Sequence, residues 1–467
     1  MSIVAIESKN SSRIVRMPGN PVQRLARWFA DPLAELLVAQ QLGDVVVSNL
    51  GASEMWQLFH PTHIERVLVR NAANYTKDTH GYRAMRLALG DGLLTSQGES
   101  WKRQRRIANP AFHRNAIEAM GRSMVECAED LATDWAQSDG TERDVAHDMM
   151  AVTLRIAGRT FFSVDVHGGE AERIGMATAN LVRQFLFHMS FPFPRPEYLP
   201  TPGNYAFWQA KRTLDADVYR MLRERRALSE SEQPHDLMSL FLGTRDEETG
   251  QAMTDEQLRD ELVTMLVAGH ETTANALAWT LHLLAEHPVE LARVQAELDQ
   301  VLGGRAPTAA DVRALPLLGR AIDESIRLYP PAWLHARRTQ VDDSFDGVTI
   351  PAGAIVILPQ YAVHRDERWW SDPESFDPDR FSPERSEGRP RFAYFPFSGG
   401  QRKCIGDRFA QMEAVLVLAT LLQQVNLRSV PGREVSAEAG VTLRPRSGIW
   451  QVLSAREPIH HDLPRRD

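Results

Sequence analysis

The sequence predicts a mostly α-helical fold with a small β region, built as a single large domain around a long central helix. Three observations predict it. From Asp255 to His287 there is no proline and only one glycine, Gly269, and Leu262, Met265, Leu266, Leu277, Leu281 and Leu284 are among its apolar residues, many at helical spacing. The stretch from Gln340 to Leu358 is instead rich in β-branched residues punctuated by Asp-Gly and Pro-Ala-Gly, a pattern of short strands and turns. The length of 467 residues allows two to four domains, but no Gly/Ser linker, repeat or low-complexity tract divides them.

In chain order, a polar tail over residues 1–20 leads into one domain over 21–455 whose N-terminal half reads as helical, and 456–467 form a C-terminal tail. Thr254 and Gln257 make a capping box, which sets the start of the central helix. At 1.5 Å per residue that helix is about 45–50 Å long, enough to cross the domain. Pro288 stops it and begins another, which runs to Gly303–Gly304. A third helix, roughly Leu317 to Leu328, ends before Pro330–Pro331, and a last one follows Cys404.

Composition narrows the function. Hydrophobic residues make up 43% and charged ones 24%, which is ordinary globular usage and excludes collagen-like or disordered chains. The 53 Lys plus Arg against 61 Asp plus Glu leave a net charge of −8, the wrong sign for a general nucleic-acid binder. Two cysteines, Cys127 and Cys404, can make neither a disulfide framework nor a zinc-binding CxxC pair. The longest apolar run, Ala414 to Leu422, is far below the roughly 20 residues of a membrane helix, and no signal peptide is visible. The expectation is a cytoplasmic protein without a membrane anchor.

The two cysteines differ. Cys127 reads as a structural thiol, whereas Cys404 lies at or just before a helix N-terminus, where the dipole and free N–H groups favour a thiolate that can be a nucleophile or a metal ligand. Phe397, Gly400, Arg402, Cys404 and Gly406 match FxxGxRxCxG, and here the chain resembles the cytochrome P-450 monooxygenases of the soluble bacterial type. The resemblance covers about residues 21 to 455 and implies that family's fold, with haem b as cofactor. It implies that Cys404 is the axial ligand of the haem iron, that Arg402 contacts a propionate, and that Gly400 and Gly406 let backbone approach the porphyrin, with Phe397 secondary. Thiolate ligation favours O–O cleavage, and a guanidinium suits a carboxylate.

Other segments carry the same resemblance in the same order. Glu324 and Arg327, at i,i+3 on one helix face, match ExxR, and Arg380 in the segment Phe376 to Phe381 completes the family's structural triad. Ala268, Gly269, Glu271 and Thr272 match the oxygen-binding motif of the central helix, where an acid beside a hydroxyl can relay protons. A zinc-protease reading of His270–Glu271 fails because the second histidine of HExxH is replaced by Ala274. Trp101 and Arg105, at i,i+4, resemble the WxxxR helix that contacts propionates. For a third propionate contact the choice between His335 and Arg337 stays open, since Leu334 occupies a commonly basic position. His60 and His63 read as ordinary histidines.

Tyr82 to Leu94 and the aromatic, proline-rich stretch from Leu181 to Phe207, which includes Phe185, Phe187, Phe191, Phe193 and Tyr198, are expected to line an apolar pocket. The resemblance then implies insertion of one oxygen atom from O2 into a C–H bond of an apolar fatty acid, terpenoid or polyketide-like molecule, with Glu271 and Thr272 delivering protons. The chain shows no flavin or iron–sulfur region, so electrons are expected from a separate ferredoxin or flavodoxin and its reductase, docking on a basic face of Lys102, Arg103, Arg106, Lys403 and Arg408. The rival functions are a peroxide-driven hydroxylase of the same fold, which would not need the acid–alcohol pair, and a haem-binding gas sensor.

Overall fold

Thr254 opens the central helix: its hydroxyl accepts the Gln257 N–H at 3.2 Å while the Gln257 side chain accepts the Thr254 N–H at 3.1 Å. The structure is a computed structural model that describes residues 14–50, 53–138, 140–164, 177 and 201–456. The helix spans Asp255–Glu286, 32 residues. Pro288, which needs no N–H partner at a first turn, then starts Pro288–Leu302, and Gly303 closes that helix at φ 55°. Pro316–Leu328 and Asp407–Gln424 form the two remaining expected helices.

The central helix is buried on almost every side, including the charged Arg259, Asp260 and Glu261. It packs along Val145–Ala157 and Pro316–Leu328, while Asp407–Gln424 packs along Arg114–Gln137. Their shared core contains Leu262, Leu266, Leu277, Trp135 and Leu416. Cys127 is buried within it. Among the described residues no helix is long and apolar enough to cross a membrane.

Strands form at His335–Thr339, Asp343–Phe345, Val348–Ile350 and Ile355–Leu358. The N-terminal half is less helical than its sequence suggests. The main sheet runs Ile14–Arg16, Val45–Leu50, Ser53–Leu58, Ile355–Leu358, His335–Thr339, Tyr75–Thr76 in spatial order, so four of its six strands come from that half. The reason is non-local: Trp56 pairs with Val356 in parallel register, and Thr76 with Arg338 antiparallel. A second core of Val45, Val46, Leu58, Phe59 and Leu358 lies on this sheet. Tyr329 touches both cores and stacks on Trp279 at 3.9 Å between ring centroids.

Candidate active site

Where the central helix, the cysteine loop and the start of the His335–Thr339 strand meet, they enclose a mostly apolar cavity of about 380 Å³. Tyr82, Met85, Ala88, Leu89 and Leu94 supply part of its wall, as the sequence suggests for that segment. Residues 181–200, the other expected wall, lie outside the described residues. Phe207 is instead a core residue of the helix Pro202–Ala227.

Cys404 faces the cavity and is accessible from it, although it lies deep in the protein. The loop is set by the Cys404 N–H donating to the Phe397 carbonyl at 3.0 Å. Burial pushes the thiol above its ordinary range, against the pull of the Gly406 N–H and the cations Arg105 and Lys403. Burial thus opposes the thiolate that the helix start favours. Gly400 sits at φ +64°, and a Cβ there would lie 1.9 Å from the Leu68 carbonyl oxygen, so the close approach that demands glycine is to the chain's own backbone. Gly406 and Phe397 both line the cavity.

One part of the cavity wall is cationic. Arg402 lines it, lies 4.0 Å over the Trp101 ring and donates to the Ser96 carbonyl at 2.7 Å; Trp101 and Arg105 do not line the cavity, and Arg105 donates to the Lys403 carbonyl at 3.0 Å. His335 and Arg337 both line the cavity, and so does Lys77, which sequence reasoning missed. An isolated lysine in TKDTHGY carries no local signal, and only the pairing of Thr76 with Arg338 brings it here. Burial, and then Arg337 and Arg402, push the Lys77 ammonium well below its usual range. Burial, and then Arg337, lower Arg402 to about 10, and burial with Arg337 and Lys77 lowers His335 to about 3. Arg402 Nη1 and His335 Nδ1 are buried without a hydrogen-bond partner.

The central helix contributes Ala268, Gly269, Glu271 and Thr272 to the same cavity. It runs unbroken through Gly269, where a Cβ would touch the Phe161 ring at 3.4 Å. The Thr272 hydroxyl donates to the Ala268 carbonyl at 2.7 Å. Glu271 is buried and accepts from the Thr442 hydroxyl at 2.6 Å, and burial raises its carboxyl above the ordinary range. His270 turns away from this pair, its Nε2 lying 2.9 Å from the Met150 carbonyl.

Glu324 and Arg327 are both fully buried, unlike the usual surface pair. Arg327 donates to both Glu324 oxygens, at 2.7 and 2.8 Å, and to the carbonyls of His364, Pro373 and Ser375. Arg380 joins at 3.1 Å from Glu324 and also binds the Ser371 and Asp372 carbonyls. The three expected scaffold residues thus meet and lock the segment 371–380 against their helix.

The expected basic face is largely neutralised within the chain. Lys102 pairs with Glu99, Lys403 with Asp407, and Arg103 and Arg106 both reach Asp246. The His60 and His63 rings lie 5.4 Å apart at a tilt of 49°, and among the described residues no three His, Cys, Asp or Glu side chains could hold a metal ion.

The residues present fit a haem. Its propionates would meet buried basic groups that have no carboxylate partner among the described residues, one of them with an unused N–H at Arg402, and its iron would meet an accessible sulfur. Comparison with known proteins agrees. The profile of the family described as Cytochrome P450 matches residues 30–452. Cyclooctat-9-en-7-ol 5-monooxygenase of Streptomyces melanosporofaciens is 36% identical over 410 residues, covering 87% of each chain. Pentalenene oxygenase of Streptomyces avermitilis is 34% identical over 416 residues, 89% of this chain and 91% of that one. The crystal structure of the cytochrome P450DA heme domain superposes with a TM-score of 0.87 at 28% identity, covering 96% of this chain and 99% of its own.

Proposed function

The chain belongs to the cytochrome P450 family and is a monooxygenase of it, and from that premise we propose that it places one oxygen atom of O2 into a C–H bond of an apolar, terpenoid-like molecule, with Cys404 as the axial ligand of its haem. The observation that carries this reading is the convergence, on one cavity, of the Cys404 sulfur, buried basic groups and the Glu271–Thr272 pair. When bound, a thiolate-ligated haem supplies the reductive activation of O2.

The protein's own groups do the rest. Arg402, Arg337 and Lys77 would hold the haem propionates, and Trp101 keeps the Arg402 guanidinium in place through its ring face. Trp101 and Arg105 brace the cysteine loop from the helix Gly98–Ala108. Glu324, Arg327 and Arg380 hold the segment 371–380 behind the site. Thr272 presents its hydroxyl at the cavity wall, and Glu271, whose carboxyl burial shifts toward the protonated form, is the proton donor beside it. Such an acid–alcohol pair supports O2-driven over peroxide-driven chemistry. The apolar wall of Met85, Leu89, Leu94, Phe161 and Val441 suits a hydrocarbon skeleton, and relatives named for cyclooctat-9-en-7-ol and pentalenene act on such molecules. Electrons come from a separate ferredoxin or flavodoxin, for which Arg408, exposed just after the cysteine loop, offers a contact.

The test is the reduced, carbon monoxide-bound spectrum. The wild type should show the strongly red-shifted Soret band of thiolate ligation and Cys404→His should lose it; an unshifted wild-type band refutes the ligand assignment. Thr272→Ala should keep that band and ligand binding but lower product formed per reducing equivalent; unchanged coupling removes Thr272 from the mechanism.

A further inference from the structure

Glu271 is not held by its own helix. Its partner is Thr442, from the loop between the strands Ala437–Ala439 and Leu443–Pro445. Thr442 is 5% exposed and its hydroxyl donates to Glu271 Oε1 at 2.6 Å while accepting from Asn275 Nδ2 at 3.0 Å. A hydroxyl has one proton, and the Asn275 amide N–H already donates to its oxygen, so that proton is directed to the carboxyl. The loop itself is clamped: the Trp333 indole donates to the Gly440 carbonyl at 2.9 Å, the Trp279 indole to the Leu443 carbonyl at 3.3 Å, and the Leu443 N–H to the Pro331 carbonyl at 2.9 Å. Val441 and Thr442 nevertheless form part of the cavity wall.

We infer that Thr442 is the positioning residue of Glu271: the C-terminal loop, clamped by two tryptophans, holds the acid at the cavity wall beside Thr272, so that a molecule lying against Val441 and Thr442 touches the device that aims the proton donor. This rests on Glu271 being the proton donor of the proposed monooxygenase. The hydroxyl bond favours the ionised carboxyl and opposes burial, with a smaller contribution from Arg444, which is itself paired with Glu438 at 2.8 Å. Among the described residues no other charged group bears on Glu271 enough to register in its shift. Losing one hydrogen bond to a carboxylate raises its midpoint by about one pH unit.

The experiment is an infrared pH titration of the full-length holoprotein, with the carboxyl band assigned by its loss in Glu271→Gln. Thr442→Val keeps the shape of the side chain and removes the hydroxyl. It should move the band to higher frequency and its midpoint up by about one unit, and Thr442→Ser should restore both. Asn275→Ala, which frees the hydroxyl to rotate, should move both in the same direction by less. A band and midpoint in Thr442→Val and Asn275→Ala identical to the wild type overturn the inference. Should Thr442→Val not fold, Asn275→Ala decides it by the same criterion. The carbon monoxide spectrum keeps this distinct from the parent reading: a thiolate-type band with an unmoved carboxyl removes only Thr442, whereas an absent band removes the haem-thiolate reading and leaves the carboxyl shift to be judged by itself.

Discussion

Glu324 and Glu271 are both carboxylates buried in helices, and they have opposite surroundings. Glu324 receives two arginines and the Asp377 N–H. Glu271 receives one neutral hydroxyl. Glu261, a few turns along the same central helix, receives only the Leu93 N–H at 3.0 Å, and its second oxygen is buried with no partner. The difference teaches which charges build and which act. Fixed cations pin an acid as part of the frame, whereas burial without a cation makes an acid keep its proton and leaves it able to give it up.

The largest way to break this comparison is Arg327→Ala, which leaves Glu324 in a fully buried site with Arg380 alone. Removing one partner of a buried pair costs roughly 3–5 kcal/mol, to be read from chemical denaturation of the variant. The same measurement on Glu271→Gln should show about 1 kcal/mol or less, since the amide can keep the one neutral hydrogen bond, from Thr442, and no buried cation loses its partner. Equal losses in the two variants would refute the division between frame and proton carriers.

Glu261→Gln tests the other side. Burial, against the pull of the Leu93 N–H, raises this carboxyl to about 8 from an ordinary 4.5. A folded-state value above the unfolded one means that its contribution is fully present below pH 4.5 and is lost as pH rises through about 8. The wild type should therefore lose stability across that window, by roughly 2–4 kcal/mol from this group, and the glutamine variant should lose correspondingly less. Parallel stability–pH curves would show that Glu261 is ionised throughout.

Local chemistry made the long elements legible in the sequence. The capping box at Thr254, the stop at Pro288 and the glycine at 303 act within a few residues of where they stand, so the central helix and its neighbour could be read with nearly correct ends. The cysteine loop was legible for the same reason, with its unusual residues packed into one short stretch. What escaped was set by pairing across hundreds of residues. Val45–Leu50 and Ser53–Leu58 become strands through partners near 356, Lys77 reaches the cavity because Thr76 pairs with Arg338, and Thr442 finds Glu271 only when the chain is folded. The burial of Glu324 and Arg327 was equally invisible, since an i,i+3 pair has the same spacing on a wet face as in a core.

The smallest expected effect sharpens the comparison most, because it separates partner from place. Asp323 is the immediate neighbour of Glu324 and lines the cavity, yet it has no arginine; the Tyr394 hydroxyl lies 3.1 Å from its carboxylate and 3.0 Å from its carbonyl. Burial raises it to about 6 from an ordinary 3.8, against the pull of that hydroxyl, and Glu324 adds to the rise. If position on the scaffold helix decided behaviour, removing its own partner would leave Asp323 unchanged. If the partner decides, it belongs with Glu271 and Glu261. Tyr394→Phe removes the bond that favours the ionised form, so the Asp323 midpoint should move above 6 at a cost of about 1 kcal/mol near neutral pH. The sign follows from the raised value: the contribution of Asp323 is present below pH 3.8 and fades through about 6, and in the variant it should fade at higher pH. A Tyr394→Phe protein whose stability–pH curve overlays the wild type's between pH 5 and 8 would place Asp323 with Glu324, and position, rather than partner, would then govern the buried acids.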